Sequence, residues 1–263
     1  MHPRLIPAFL VVLALSLLAA APATAAKYTA IKGAPAAGPA ELDRVYVERF
    51  GPKSADTVLV LIPGTGGGAG SVAPIARDLS REVDDLQVWG FDRRSQNFED
   101  RSGFAAGDPA AAADYYLNFR YDRVTADEAP FVSEWGFATE MNDLHEVIEK
   151  ASRGGRSVIL GGHSRGASSA VAYSAWDFRG DGAGFRDLDG LILIDGGLAA
   201  FGPEEFSLEE AEARLAEIRG GDLFNDPLGA GIPEAGPIFS QVAALAAAKQ
   251  PDARSLLQDN PIV

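Results

Sequence analysis

Short apolar runs alternate along the chain with longer segments whose apolar residues are spaced as on one face of a helix. Thr57 to Ile62 is continuously apolar and largely β-branched, and similar runs recur at 86–91, 157–160 and 191–194. Such runs are typical of strands that are covered on both faces of a parallel sheet. Asp43 to Phe50 alternates polar and apolar residues instead, which predicts a half-buried or edge strand.

Helices are predicted between these strands. Apolar residues follow a helical spacing at 134–151, and shorter helices are predicted at 72–79 and 167–176. Strands and helices in this order predict an α/β fold with an open, mostly parallel sheet flanked by helices. Ligands are then expected at the carboxyl ends of the strands.

The first 26 residues have a different composition. Arg4 is followed by an apolar run from Leu5 to Ala21 and by Ala23-Thr24-Ala25, the pattern of a secretory signal peptide that is cleaved after Ala25. This predicts a secreted or periplasmic protein that keeps no membrane span after cleavage. The alternative is an amino-terminal membrane anchor, because the run approaches the length that a bilayer requires. Residues 26–42 are rich in Ala, Gly and Pro and are predicted to be a flexible lead-in.

Charge and composition exclude several function classes. Acidic residues outnumber basic ones by 37 to 23, giving a formal net charge of −14, which argues against a nucleic-acid partner. The chain has no Cys and three His. Disulfides, a thiol nucleophile and Cys-ligated zinc are therefore excluded, and no metal site is predicted.

The strongest chemical signal is the pentapeptide Gly162-His163-Ser164-Arg165-Gly166. A serine hydroxyl is a poor nucleophile at neutral pH, so it has to be exposed beside a base and oxyanion donors. The small residues of a G-x-S-x-G sequence permit a tight reversal from strand to helix that exposes the serine. Here a predicted strand precedes the motif and a predicted helix follows it, so Ser164 is the candidate nucleophile. An incidental serine in a Gly-rich turn is the alternative.

The segment from Val45 to Gly197 resembles the α/β-hydrolase fold family. The resemblance is carried by VLVLIPGTGGGAGS, LQVWGFDRRSQNFED, SVILGGHSRGASSAV and LDGLILIDGG, in that order. It implies a hydrolase core over residues 43–202 and a serine hydrolase that acts on a small-molecule ester or related acyl substrate without a cofactor. It also implies that the Thr65 and Arg165 amides form the oxyanion hole. Neighbouring amides of the Gly run are alternatives to Thr65, and the run itself can be a plain flexible turn.

The same Gly run supports a rival interpretation. Gly64 to Ala69 fits G-x-G-x-x-A after a strand, a pattern found in dinucleotide-binding proteins, and Asp92 at the end of the next strand would then hold a ribose. Pro63 before the first Gly and the GHSRG sequence both weaken this nicotinamide-dependent oxidoreductase hypothesis.

The rest of a catalytic triad is incomplete in the sequence. In this fold the acid and then the His follow the nucleophile along the chain. Asp195 after the 191–194 run is the candidate acid, with a simple turn residue as the alternative. His2, His145 and His163 all precede Ser164, and His145 is expected to be a structural or surface residue.

The segment 203–263 is predicted to be a helical lid, with helices at 208–219 and 237–249, and no apolar β-branched run follows Ile194. We therefore expect a hydrolase whose final strands and base are missing from this sequence. A degenerate relative that binds an acyl or apolar ligand, and a base from a partner chain, are the alternatives.

Two further features have structural interpretations. The charged residues at 92–95 and 122–123 are expected to form solvated or structural ion pairs. The aromatic segment 104–135 either walls a cleft or forms a local core.

Overall fold

The computed structural model of the chain describes residues 27–178, 180, 182–197, 207–223 and 235–254. Within these residues there are eight strands, of which β6 and β7 form a small separate hairpin and the other six form one sheet. The strands are β1 Lys27–Lys32, β2 Arg44–Phe50, β3 Thr57–Ile62, β4 Leu86–Asp92, β5 Ser157–His163, β6 Asp177–Phe178, β7 Gly182–Ala183 and β8 Gly190–Ile194.

The main sheet has the strand order β1-β2-β4-β3-β5-β8. Strands β4, β3, β5 and β8 run parallel to one another, whereas β2 pairs antiparallel with both β1 and β4. The predicted mostly parallel sheet is therefore confirmed. All four parallel strands end at the same edge, which carries Pro63, Ser164 and Asp195.

Helices cover both faces of this sheet because alternate strand residues point to opposite sides. The helices are α1 Ala69–Glu82, α2 Pro109–Leu117, α3 Phe137–Ala151, α4 Arg165–Ala175, α5 Leu208–Arg219 and α6 Ala235–Lys249. Val58, Val60 and Ile62 share one buried cluster with residues of α3 and α4. Leu59 and Leu61 lie in a second cluster with residues of α1.

The amino-terminal segment differs from the expected flexible lead-in. Residues 27–32 form strand β1 on the edge of the sheet, and residues 40–42 form a short helical turn. Arg94 holds the segment between them, because its guanidinium donates to the Ala34 carbonyl at 2.7 Å. The same guanidinium makes two bonds to the Asp143 carboxylate on α3, at 2.6 and 2.8 Å, and one to Asp43 at 3.0 Å. A buried charge network thus replaces the flexibility that the composition predicts.

The aromatic segment and the predicted lid are in contact. Tyr116 of α2 packs in a third buried cluster with Ala112 and with Val242 of α6. Helix α5 begins with a capping box, in which the Ser207 hydroxyl accepts from the Glu210 N–H and the Glu210 carboxylate accepts from the Ser207 N–H. Both predicted lid helices are present, and the assignment of 203–263 as a lid stays a prediction.

Strand β8 is unusual for a parallel strand because its apolar side chains are not buried. Leu191, Ile192 and Leu193 are 40%, 39% and 44% exposed. In the described residues that follow β8, helices are the only regular elements, and β8 is the last strand of the sheet.

The predicted signal peptide at 1–25 lies outside the described residues. Among those that are described, no helix has both the length and the apolar character needed to cross a membrane.

Substitution of Arg94 by Met tests the buried network. Arg94 is 4% exposed, and its loss leaves the buried Asp143 carboxylate without its guanidinium partner. We expect Arg94→Met to lower the free energy of unfolding by about 3–5 kcal/mol, as measured by urea unfolding. The control is Arg81→Met, which removes an exposed ion pair with Asp78 and should cost less than about 1 kcal/mol. Equal effects of the two substitutions would contradict the prediction.

Candidate active site

Ser164 occupies a strained turn between β5 and α4. Its backbone angles are φ 53° and ψ −124°, a left-handed conformation that a side chain adopts only when the surrounding structure imposes it. The Ser164 N–H donates to the Ile194 carbonyl at 3.0 Å, and the Ser164 carbonyl accepts from the Ala167 N–H at 2.9 Å. The side chain is half-buried. Within the described part of the chain, its hydroxyl has no hydrogen-bond partner.

Gly162 and Gly166 are required because neighbouring backbone atoms leave no room for a Cβ, and not because of their backbone angles. A Cβ on Gly162 would lie 2.0 Å from the Gly166 carbonyl oxygen, and one on Gly166 would lie 2.3 Å from the Ile62 carbonyl oxygen. Backbone atoms cannot move aside as a flexible side chain can. The motif therefore lets the start of α4 pack directly against the ends of β3 and β5.

The loop after β3 lies against the candidate nucleophile. A Cβ on Gly64 would be 3.2 Å from the Ser164 Cβ and 3.3 Å from Nδ1 of His163. Thr65 follows at once, and Arg165 begins α4, where a backbone N–H has no acceptor within the helix. The structure thus brings Ser164, Thr65 and Arg165 to one edge of the sheet. The assignment of the Thr65 and Arg165 amides as oxyanion donors remains a prediction.

A cavity of about 680 Å³ opens beside this edge. Its wall includes Thr65, Gly66 and Arg165 from the site and Ile238 and Gln241 from α6. Further wall residues are Phe98, from the short helical turn Arg94–Phe98 that follows β4, and Phe104, Tyr116 and Tyr121 of the aromatic segment. Both interpretations of that segment therefore hold, because Tyr116 also belongs to the third buried cluster.

Tyr116 illustrates how the cavity wall is fixed. Its ring stacks on Phe104 with the centroids 4.5 Å apart, and its hydroxyl donates to the Asp100 carbonyl at 2.7 Å. Burial, helped by the nearby Asp100 charge, raises the pKa of Tyr116 to about 12. The phenol is therefore protonated at neutral pH and serves as a hydrogen-bond donor.

Behind the wall, the Glu140 carboxylate joins two arginines. Glu140 accepts from Arg93 Nε at 3.2 Å, from Arg165 Nη2 at 2.5 Å and from the Ser169 hydroxyl at 2.9 Å. Burial acts to raise the pKa of Glu140, but the Arg93 and Arg165 charges and the hydrogen bonds from Ser169 and Arg165 outweigh it and lower the pKa below its usual range. No sequence pattern marks Glu140 as a site residue, and Arg93 was expected to form a solvated or structural ion pair. The pair is structural and partly buried, with side-chain exposures of 16% and 10%.

The backbone at Asp195 lies close to the Ser164 turn. It adopts φ 44°, and the next residue is packed so closely that a Cβ on Gly196 would lie 2.4 Å from the Ser164 carbonyl oxygen. The Asp195 side chain is exposed. No hydrogen bond of its carboxylate is present among the described residues. Its role as the triad acid stays a prediction.

The histidines do not complete the triad in the described structure. His145 Nδ1 lies 3.0 Å from the Tyr173 hydroxyl, and its ring stacks on Phe178 at 4.2 Å between centroids. Tyr173 is nine residues along α4 from Ser164, a distance of roughly 13 Å at the rise of a helix. His145 therefore packs far from the nucleophile, whereas His163 is an exposed neighbour of it. His2 lies outside the described residues.

Asp92, which the dinucleotide interpretation assigns to a ribose, is already engaged inside the protein. Its carboxylate is buried and accepts from the Ala69 N–H at the start of α1 and from the Tyr28 hydroxyl, the latter at 2.8 Å. Burial raises the pKa of Asp92 above its usual range. Asp92 thus accepts a hydrogen bond at the start of α1. Its carboxylate is not free to bind a ribose, as the dinucleotide-binding interpretation requires.

Comparison with known proteins gives likeness to solved structures alone. No family model matches the sequence, and no curated protein matches it. Similar solved structures include an epoxide hydrolase from Vigna radiata, 11% identical with a TM-score of 0.46, which covers 88% of this chain and 59% of its own. A thermophilic esterase from Thermogutta terrifontis is 18% identical with a TM-score of 0.41, covering 86% and 62%. A carboxylesterase from Nitrososphaera gargenis is 17% identical with a TM-score of 0.36, covering 82% and 58%.

The chain thus spans about three fifths of the length of these proteins. At such identities the likeness concerns the fold alone. The strand order, with two antiparallel strands leading into parallel ones, and the turn at Ser164 define the fold of this chain as the α/β-hydrolase fold.

Alanine at Gly166 tests the packing of the turn. Because the new Cβ would meet the Ile62 carbonyl, we expect Gly166→Ala to lower the free energy of unfolding by about 1–3 kcal/mol or more. Gly70 is the matched control, since a Cβ there, within helix α1, meets nothing within 4 Å. Gly70→Ala should be neutral or stabilising by up to about 1 kcal/mol. A neutral Gly166→Ala in the same urea titration would refute the account.

The lowered pKa of Glu140 predicts a pH dependence of stability. A carboxyl group whose pKa is lower in the folded state stabilises the fold above its unfolded pKa of about 4.3, and this contribution is lost as the pH falls through the folded value. We expect the wild-type chain to exceed Glu140→Gln in free energy of unfolding at neutral pH, and the difference to shrink as the pH falls below about 5. Urea titrations over this range measure it, and a constant difference would exclude the mechanism.

Proposed function

We propose that the protein is a serine hydrolase that cleaves an ester or related acyl bond of a small-molecule substrate through Ser164. The observation that carries the proposal is the backbone of Ser164, held at φ 53° between β5 and α4 beside the Gly64 loop. The neighbouring residues Thr65 and Arg165 line the cavity. Strained backbone at a nucleophile exposes its side chain to substrate. A cavity of this size is in the range that encloses a small ligand.

In the proposed reaction, Ser164 Oγ attacks the carbonyl carbon of the substrate. The carbonyl oxygen becomes an oxyanion that the Thr65 and Arg165 backbone N–H groups bind, and each such donor is worth about 2.7–4 kcal/mol of transition-state stabilisation. The alcohol leaves with a proton as the acyl-enzyme forms, and water then releases the acid and restores Ser164. No step of this sequence needs a cofactor or metal.

The proposed reaction needs a base for the Ser164 proton, and the described residues do not place one beside the hydroxyl. The proton of Ser164 has to pass to a base, yet the hydroxyl has no partner among the described residues and no His follows Ser164 in the sequence. Losing one triad member costs orders of magnitude in rate and leaves binding and oxyanion stabilisation in place. We therefore propose that Ser164, with no base beside it among the described residues, binds acyl compounds and reacts with them slowly.

A non-catalytic binding protein for an apolar or acyl ligand is the second candidate function. The unpartnered Ser164 hydroxyl favours it, as does a cavity with a wall of Phe98, Phe104, Tyr116 and Tyr121. Binding by such a wall would depend on apolar contact and not on the serine.

Secretion belongs to the same proposal. It rests on the signal-peptide pattern of residues 1–25, and the acidic net charge of −14 supports a substrate other than nucleic acid. Mass determination of the mature protein from a producing cell would show cleavage after Ala25 or retention of the segment as an anchor.

Labelling of Ser164 separates the two functions. We expect a fluorophosphonate probe to modify the wild-type protein at Ser164, because phosphonylation uses the same oxyanion donors as acyl transfer. Ser164→Ala should abolish the labelling. Ser174→Ala is the control, since Ser174 lies on the same helix and its hydroxyl donates to the Val171 carbonyl. Intact-mass spectrometry measures the adduct. Unlabelled wild-type protein that still binds apolar dyes would favour the binding protein.

A further inference from the structure

The side chain of Arg93 is committed to the loop that carries the first oxyanion donor. Arg93 follows β4 directly, and its side chain is 16% exposed. Its guanidinium donates from Nη2 to the Pro63 carbonyl at 3.0 Å, from Nη1 to the Gly64 carbonyl at 3.4 Å and from Nε to Glu140 at 3.2 Å. All three nitrogens of one planar group are thus aimed at fixed acceptors, which restrains the loop in position and in rotation.

These carbonyl contacts also set the direction of the neighbouring N–H groups. In a planar trans peptide the carbonyl and the N–H point in opposite directions. The peptides that Arg93 holds by their oxygens carry the N–H groups of Gly64 and Thr65, and both groups therefore face away from Arg93. Rotation of the Gly64–Thr65 peptide would break the contact with Arg93 and turn the Thr65 N–H out of its place.

Glu140 extends this restraint to the second donor. One carboxylate oxygen accepts from Arg93 and Ser169, and the other accepts from Arg165 Nη2. The Glu140 side chain is 10% exposed. A single carboxylate from α3 thereby ties the loop after β3 to the first residue of α4, and the separation between the two predicted donors depends on it.

The cluster also carries charge. Two guanidiniums share the Glu140 carboxylate, so Arg93, Glu140 and Arg165 together leave one positive charge in excess. Both arginines also line the cavity wall. Positive charge in a partly buried site stabilises negative charge that develops on a substrate oxygen.

We propose that Arg93 is a positioning residue of the Ser164 site, holding the Pro63 and Gly64 carbonyls so that the Thr65 N–H can bind the oxyanion, with Glu140 coupling this loop to Arg165. The proposal rests on the proposed function, since it assumes that Ser164 reacts through an oxyanion. It assigns to Arg93 and Glu140 an effect on reactivity, and to Glu140, which does not line the cavity, no effect on filling of the cavity by an apolar ligand.

The test compares the rate of fluorophosphonate labelling at Ser164 among variants of the full chain. We expect Arg93→Met to react about 10²-fold more slowly, the cost of losing one oxyanion donor. Arg93→Lys keeps the charge but cannot reach three acceptors at once, so it should restore only part of the rate. Glu140→Gln should also react more slowly than wild type. Arg81→Met, at an exposed ion pair, is the control and should react like wild type.

A second measurement separates positioning from a general structural effect. Binding of Nile red, a neutral apolar dye, should be unchanged in Glu140→Gln, because Glu140 is not among the residues that line the cavity. Hydrogen exchange of a peptide covering residues 62–68 should be faster in both Arg93→Lys and Glu140→Gln. Wild-type rates in both Arg93 variants would overturn the positioning role and leave the proposed function standing. Loss of dye binding in parallel with loss of labelling would overturn it in favour of a structural role. Wild-type protein that does not react at Ser164 would overturn both.

Discussion

The structure depends on a place where four stretches of backbone meet with no room for side chains. The end of β3, the end of β5, the start of α4 and the residues after β8 converge on Ser164. A Cβ at Gly162, Gly166 or Gly196 would lie within 2.4 Å of a carbonyl oxygen of another stretch. This close packing docks the start of α4 against the ends of β3 and β5, at the turn where Ser164 lies. The candidate site is therefore a product of main-chain packing before any side chain contributes.

Buried charge gives the second layer of organisation. Arg93 and Arg94 leave β4 in succession and reach different targets, the loop beside Ser164 and the amino-terminal segment. Both also bond to α3, through Glu140 and Asp143. These two carboxylates lie three residues apart, on the same face of the helix. The amino-terminal end of α3 therefore contacts both the loop beside Ser164 and the amino-terminal segment. Substitution of either arginine is expected to disturb the same end of this helix.

The sequence predicted those parts of the fold that depend on local pattern. The parallel strands followed from their continuous apolar runs, and the turn at Ser164 followed from glycine spacing between a strand and a helix. The Arg93–Glu140 contact joins residues 47 positions apart, and neither residue stands in a pattern that announces its partner. Composition predicted a flexible segment at 26–42 because Ala, Gly and Pro usually mark loops. Pairing of residues 27–32 with β2 and the buried Arg94 network outweigh that local preference.

The exposed strand β8 has a consequence for the behaviour of the chain in solution. Leu191, Ile192 and Leu193 present apolar surface along the last strand of the sheet, and strands of this kind are templates for pairing with another chain. The net charge of −14 opposes such association by mutual repulsion. Salt screens repulsion between exposed charges and leaves apolar contact intact. Any pairing of chains through β8 is therefore expected to increase as the ionic strength rises.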